Sequence, residues 1–242
     1  MSKVCTLVLL FLCVSAPLKA QTGAQDTVQP GKPASHTGWS SFPLDFLNDQ
    51  KAIWTSPLHV TGNDVKWLAP IGAAEGTLFV FDHRISDAAK ANISLRSPSN
   101  TVSQIGNIAP YAVPGTMLFL GAVTHDSHAV EAGRLAAEAE LDSEVVMTVL
   151  KLATARTRPD MSNNQSFPSG HAMSMFTLAS VMSREYHDKP LVVYGSYGVA
   201  TAVAIARVGG LNHFPSDVLA GAVMGELIGR YVVNHRQAKA AD

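Results

Sequence analysis

From Pro190 to Ala206 the chain runs 17 residues without a charge, and from Ile108 to Val123 it runs another 16. A third stretch, Val218 to Val233, is interrupted only by Glu226 and Arg230. Runs of this length read as helices, packed in a protein core or in contact with a bilayer. Each falls short of the ~20 apolar residues that span a bilayer comfortably. Ala and Gly dominate several of them, as close helix packing requires in either solvent. Core helices of a soluble bundle are the first reading and membrane contact is the alternative. Glu226 is the least comfortable residue for the membrane alternative, so its expected place is a helix surface or end.

The rest of the pattern is also helical. Apolar periodicity predicts helices over 44–54, 64–82, 113–124, 130–157, 169–187, 191–207 and 216–234. In the fourth, Leu141, Val145, Val149 and Leu152 recur on one face. Alternating runs bounded by hairpin turns are scarce, so the fold class is an all-α helical bundle of about six or seven helices. With 242 residues the chain makes one domain with a substantial core. A net charge of −1 and a pI near 6.7 argue against nucleic acid as a partner.

Residues 1–20 have the form of a signal peptide: Lys3, a short apolar core over 4–16, and Leu18-Lys19-Ala20 before a cleavage point at Gln21. A retained N-terminal anchor is the alternative. Both cysteines, Cys5 and Cys13, lie in this segment, so a chain cleaved there has no disulfide and no thiolate metal site. Residues 21–43, rich in Gly, Pro, Ser, Thr and Gln, read as a flexible spacer, and 44–236 as the folded domain. This organisation predicts an exported protein, periplasmic or held at the inner membrane facing the periplasm.

Three polar clusters interrupt the apolar pattern. In the first, Lys151 and Arg158 are seven residues apart, on one helical face if the helix persists that far. Pro159 disfavours helix at Arg158, so the guanidinium is expected at a helix end, where its fork can grip two phosphate oxygens. In the second, Pro168-Ser169-Gly170-His171 starts a helix. The unpaired N–H groups of Ser169 and Gly170 and the helix dipole favour an anion there, and His171 stands where a general acid is needed. In the third, Arg207 is followed by a Gly-containing loop, His213 and Asp217. The spacing of four lets Asp217 accept from one ring nitrogen of His213 and leave the other as nucleophile.

Taken together, Lys-x6-Arg-Pro, Pro-Ser-Gly-His and Arg-x5-His-x3-Asp resemble the signature of the type 2 phosphatidic acid phosphatase (PAP2) superfamily, which includes bacterial non-specific acid phosphatases, lipid phosphatases and vanadium haloperoxidases. The resemblance covers about residues 130–234. It implies a helical bundle of the PAP2 type and a metal-independent phosphatase. Its substrate is a phosphate monoester, small or lipid, or an isoprenyl pyrophosphate. It further implies that Lys151, Arg158, Ser169, Gly170 and Arg207 bind phosphate. His213 attacks phosphorus to give a phosphohistidine, His171 protonates the leaving group and Asp217 holds His213. No cofactor and no metal are implied, because fixed cations neutralise the developing charge. The alternative is a vanadate-dependent haloperoxidase with His213 as the vanadate ligand. The family usually has Ser where this chain has Ala206, which predicts a loss of about 0.5–1.5 kcal/mol in anion binding relative to a serine version. The stretch between Pro159 and Pro168 is short, leaving little chain for a lid.

Other polar residues carry weaker signals. Asp82-His83-Arg84 reads as a helix end, and His125 with His128 as a solvated loop. Trp39, Trp54 and Trp67 read as core or interfacial anchors. Arg156 is close to the site in sequence but stands at a variable position of the motif. Opposite protonation demands on His213 and His171 predict a bell-shaped pH–rate profile.

Overall fold

The computed structural model describes residues 42–241, with side chains through Lys239. The signal-peptide segment and most of the spacer therefore lie outside the described residues. Seven α-helices and two short 3₁₀ turns make up the described structure, with no strand among them. The helices are α1 (Phe42–Thr55), α2 (Gly62–Lys90), α3 (Arg96–Thr124), α4 (Ser127–Thr154), α5 (Gly170–Glu185), α6 (Pro190–Gly209) and α7 (Pro215–Ala241). The all-α expectation holds. The first helix begins at Phe42, two residues inside the expected spacer, and the last continues beyond residue 236.

The central element is α5, which packs against α3, α4, α6 and α7. Its contact with α7 rests on glycine. A side chain at Gly221, Gly225 or Gly229 would meet the carbonyl oxygens of Ser169, Met173 or Thr177 at 2.5, 2.1 and 2.7 Å. One small residue per turn thus lets two backbones touch. The order of these pairs makes α5 and α7 parallel, with both N-termini at one end of the bundle. The C-termini of α4 and α6, carrying Lys151 and Arg207, come to the same end. Leu135, Ala139, Val146, Met173, Leu178, Val181, Ile228 and Val232 form the apolar core behind it.

Several helix boundaries differ from the sequence expectation, three of them with a bearing on the site. α3 starts at Arg96 and runs through Pro110 and Pro114, whose missing N–H groups had marked a later start. Both prolines are buried, and packing against neighbouring helices keeps the segment helical through positions that would end an isolated helix. α2 continues to Lys90, which places Asp82 inside a helix rather than at its end. α4 stops at Thr154, where Ala155 takes a left-handed conformation with φ 43°. Arg158 therefore leaves the helix and approaches the site from a loop.

One apolar stripe of α4 is exposed. The stripe Leu141, Val145, Val149 and Leu152 faces outward, Leu152 being 73% exposed. The face of α4 turned into the bundle supplies Leu135, Ala139 and Val146 to the core, and Arg134, Glu138, Glu140, Asp142 and Ser143 are buried as well. Glu138 and Asp49 of α1 pair with Arg236 of α7, and Glu138 also pairs with Arg134. Apolar side chains are exposed on α2 (Phe79, Val80), α3 (Ile108, Phe119, Val123) and α6 (Leu191, Tyr194) as well. Trp54 and Trp67 are exposed, which excludes the core reading for both. Pro190–Gly209 is long and apolar enough to cross a bilayer, and only a third of its most apolar window is buried. Glu226 accepts from the Tyr197 hydroxyl at 2.6 Å between α7 and α6, so it is a paired carboxylate between helices.

Candidate active site

Local structure at the shared helix ends fixes the positions of the polar clusters. The left-handed turn at Ala155 lets the chain leave α4. The loop after it is then pinned by backbone bonds: Ser166 N–H to the Arg156 carbonyl (2.8 Å) and Arg158 N–H to the Asn163 carbonyl (3.0 Å). Ser169 N–H, expected to be unpaired, instead donates to the Asp217 carbonyl at 2.9 Å, tying the start of α5 to the start of α7. His213 sits in the short loop between α6 and α7, with its N–H on the Arg207 carbonyl at 3.3 Å.

The eight residues expected from sequence gather at this end of the bundle. Lys151 approaches Gly170 so closely that a side chain there would lie 3.4 Å from Nζ and 2.4 Å from the Met147 sulfur. The space that Gly170 leaves is thus filled by the Met147 sulfur, with the Lys151 ammonium in ordinary contact beside it. Arg158 Nε, Arg207 Nε, Ser169 Oγ and His171 Nε2 are all buried without a hydrogen-bond partner. Among the described residues, none of Lys151, Arg158 and Arg207 has an acidic partner within ion-pair distance. Unpaired cations and orphaned donors at one place are costly to bury unless an anion satisfies them. The His171 ring rests against Gly106 of α3, where a Cβ would meet Cδ2 at 2.7 Å.

His213 is buried, and its Nδ1 lies 2.6 Å from the Ser166 carbonyl oxygen. A carbonyl only accepts, so Nδ1 carries the proton and Nε2 keeps its lone pair. Burial holds the His213 pKa well below the ordinary histidine value, with the cations of Arg207 and Arg158 adding to the effect. The ring is therefore neutral, as a nucleophile must be.

Here the structure corrects the role assigned to Asp217. It does not hold His213 directly. Its carboxylate accepts from Ser166 Oγ (2.5 Å), Arg156 Nη1 (2.6 Å) and the Phe214 N–H (2.9 Å). It thus holds the two chain segments on which His213 depends, the carbonyl-bearing Ser166 and the residue that follows the histidine. A spacing of four put Asp217 near His213, but Asp217 lies in the first turn of α7 and its carboxylate turns back onto the Phe214 N–H ahead of the helix.

Arg156, Asp82 and Ser216 complete this support. Arg156 Nη2 donates to Asp82 at 2.7 Å while Nη1 binds Asp217, and its guanidinium lies 4.4 Å from the Phe214 ring centroid. Asp82 accepts from the Ser216 N–H (3.0 Å) and hydroxyl (2.5 Å). Sequence reasoning named Arg156 and Asp82 but gave neither this supporting role. The available signal was Arg156 standing two residues before Arg158 in a loop already bound for the site.

Comparison with known proteins gives three findings. The sequence profile of the PAP2 superfamily matches residues 135–240, a span containing every expected site residue. The chain is 38% identical over 80 residues to the lipid A 1-phosphatase of Porphyromonas gingivalis, covering 33% of this chain and 18% of that protein. It therefore spans about a fifth of the length of that curated relative. It also resembles the crystal structure of a transmembrane PAP2-type phosphatidylglycerolphosphate phosphatase from Bacillus subtilis. That match has a TM-score of 0.53 and 22% identity, and covers 82% of this chain and 96% of that one. The likeness in structure shows a shared helical fold.

Proposed function

Because the chain belongs to the PAP2 superfamily, we propose that it is a metal-independent phosphatase that hydrolyses a lipid phosphate monoester at a membrane surface through a phosphohistidine. The observation that carries this reading is the set of buried, unpartnered donors on Arg158, Arg207, Ser169 and His171 beside Lys151. That arrangement suits a tetrahedral anion bearing two negative charges.

In the first step His213 Nε2 attacks phosphorus and the bond to the leaving alkoxide breaks. On their own, burial and the cations of Arg207, Lys151 and Arg158 pull the His171 pKa down to about 4. The phosphate dianion offsets those cations, so His171 takes up a proton in the complex and gives it from Nε2 to that oxygen as the alcohol departs. In the second step His171, now neutral, takes a proton from water as it attacks the phosphohistidine. Phosphate leaves and His213 is restored. Lys151, Arg158, Arg207 and the N-terminus of α5 hold the phosphoryl oxygens throughout, so the charge that develops meets fixed cations.

The lipid substrate and the membrane location are supported by the exposed apolar stripe of α4 and by the exposed apolar side chains of α2, α3 and α6. The soluble-bundle expectation made core helices of 108–123 and 190–206, yet Ile108, Phe119, Val123, Leu191 and Tyr194 in them are exposed. Exposed apolar side chains on four helices are buried only against lipid or another apolar partner. The name of the P. gingivalis relative, a phosphatase of lipid A, points the same way. Export through residues 1–20 would put the site on the periplasmic face.

The reading is tested by phosphate release in detergent with chelator present. A long-chain lipid phosphate in mixed micelles is compared with a short chromogenic monoester, for wild type and His213→Ala. Faster turnover of the lipid, resistance to chelator and loss in the variant are expected. Equal rates on both substrates would remove the lipid assignment. Activity that survives His213→Ala would remove the mechanism.

A further inference from the structure

We infer that Ser103 of α3 is a substrate-contacting residue whose hydroxyl supplies the phosphoryl-oxygen hydrogen bond that Ala206 cannot make. The inference rests on the phosphatase reading above.

Two contacts fix the level of Ser103. Near the start of α3, a Cβ on Gly209 would meet Ser99 Oγ at 2.5 Å. Further along, a Cβ on Gly106 would meet Val203 Cγ1 at 2.8 Å and the His171 ring at 2.7 Å. The chain number rises on α3 as it falls on α6, so the two helices run antiparallel. Ser103 lies between the two contacts and so stands level with Ala206. It is one turn before Gly106, on the face that abuts His171.

Ser103 is 3% exposed, and its hydroxyl has no hydrogen-bond partner. A helical hydroxyl ordinarily back-bonds to the carbonyl one turn earlier. Thr101 on the same helix does so to Ser97, and Thr124 does so to Leu120. Ser103 does not, so its donor remains available on the His171 side of α3. Burying an unsatisfied hydroxyl costs stability, and a bound anion relieves that cost. The neighbouring orphans, His171 Nε2 and Ser169 Oγ, are in the same condition. Serine is usual in the family at the position of Ala206. Here the hydroxyl comes from the facing helix, at the same level.

The test measures binding of inorganic phosphate by calorimetry and by competitive inhibition. The proteins are wild type, Ser103→Ala, the double variant Ser103→Ala/Ala206→Ser, and Arg207→Ala as a control for the cradle. Ser103→Ala should weaken phosphate binding about tenfold, the size of one hydrogen bond to a charged group. Its melting temperature should stay level or rise, because an unpaired buried group is removed. Adding Ala206→Ser should recover most of the affinity. A change below threefold, a fall in melting temperature, or no recovery in the double variant would each overturn the inference. Wild type that binds no phosphate would overturn the phosphatase reading as well, whereas a binding and active wild type with an unaffected Ser103→Ala would overturn the serine alone.

Discussion

Removing the Arg156 guanidinium tests whether the His213 platform depends on a charge relay of position rather than of protons. Arg156 bridges two carboxylates, Asp217 at 2.6 Å and Asp82 at 2.7 Å, and both acidic side chains are fully buried. In Arg156→Ala each carboxylate loses its only cationic partner among the described residues. Breaking a buried ion pair by removing one partner costs about 3–5 kcal/mol. Asp217 keeps Ser166 Oγ and the Phe214 N–H, and Asp82 keeps both groups of Ser216, so the low end, about 3 kcal/mol, applies. Loss of guanidinium packing on Phe79 and Phe214 adds about 0.5–1 kcal/mol.

The effect on activity follows from the same bonds. Ser166 carries the carbonyl that orients His213, and its hydroxyl is fixed by the carboxylate that Arg156 neutralises. A mobile platform lowers kcat by about a hundredfold, since a displacement near 1 Å has that effect. KM should change little, because Arg156 does not face the phosphate cradle. Arg156→Lys should recover only part, since one ammonium cannot bridge two carboxylates as a fork does. Urea unfolding in detergent and steady-state kinetics read the two effects separately. Unchanged kcat, or a stability loss under 1 kcal/mol, would refute the argument.

Two further predictions follow from the geometry. Gly225→Ala would put a Cβ 2.1 Å from the Met173 carbonyl oxygen, forcing α5 and α7 apart, whereas a Cβ on Gly195 meets nothing within 4 Å. Thermal melting should show the first substitution destabilising by about 3 kcal/mol and the second neutral or stabilising by about 1 kcal/mol; equal effects would contradict the packing. The depressed pKa of His213 makes stability depend on pH. Below about pH 6.5 the unfolded ring takes a proton that the folded ring refuses, so stability falls with pH at up to about 1.4 kcal/mol per unit and is fully present above that value. His213→Asn should reduce the acid slope of unfolding free energy by that amount, and an unchanged slope would show that the ring is not held neutral.

What could be read from the sequence depended on whether a property belongs to spacing or to partnership. Ser169-Gly170-His171 and Arg207-x5-His213 were legible because the helix start and the short loop fix them locally. The α3 start at Arg96 was not legible, because Pro110 and Pro114 end helices in isolation and are overridden by packing. The stripe Leu141, Val145, Val149 and Leu152 correctly gave a helix, but periodicity states that one face is apolar and is silent on which solvent it meets. Asp217 was placed at the right end with the wrong partner, because a spacing of four cannot tell a contact with a side chain from one with the preceding backbone. Arg156 and Asp82 are 74 residues apart, and no local pattern links them.

The central claim is covalent: phosphorus becomes bonded to His213 Nε2. Rapid quenching of wild type and His171→Asn with a labelled lipid phosphate tests it directly. A phosphoenzyme stable to alkali and labile to acid should form and map to the peptide containing His213. It should persist longer in His171→Asn, where the base for its hydrolysis is missing. Turnover without any phosphoenzyme, or a label on another residue, would contradict the account.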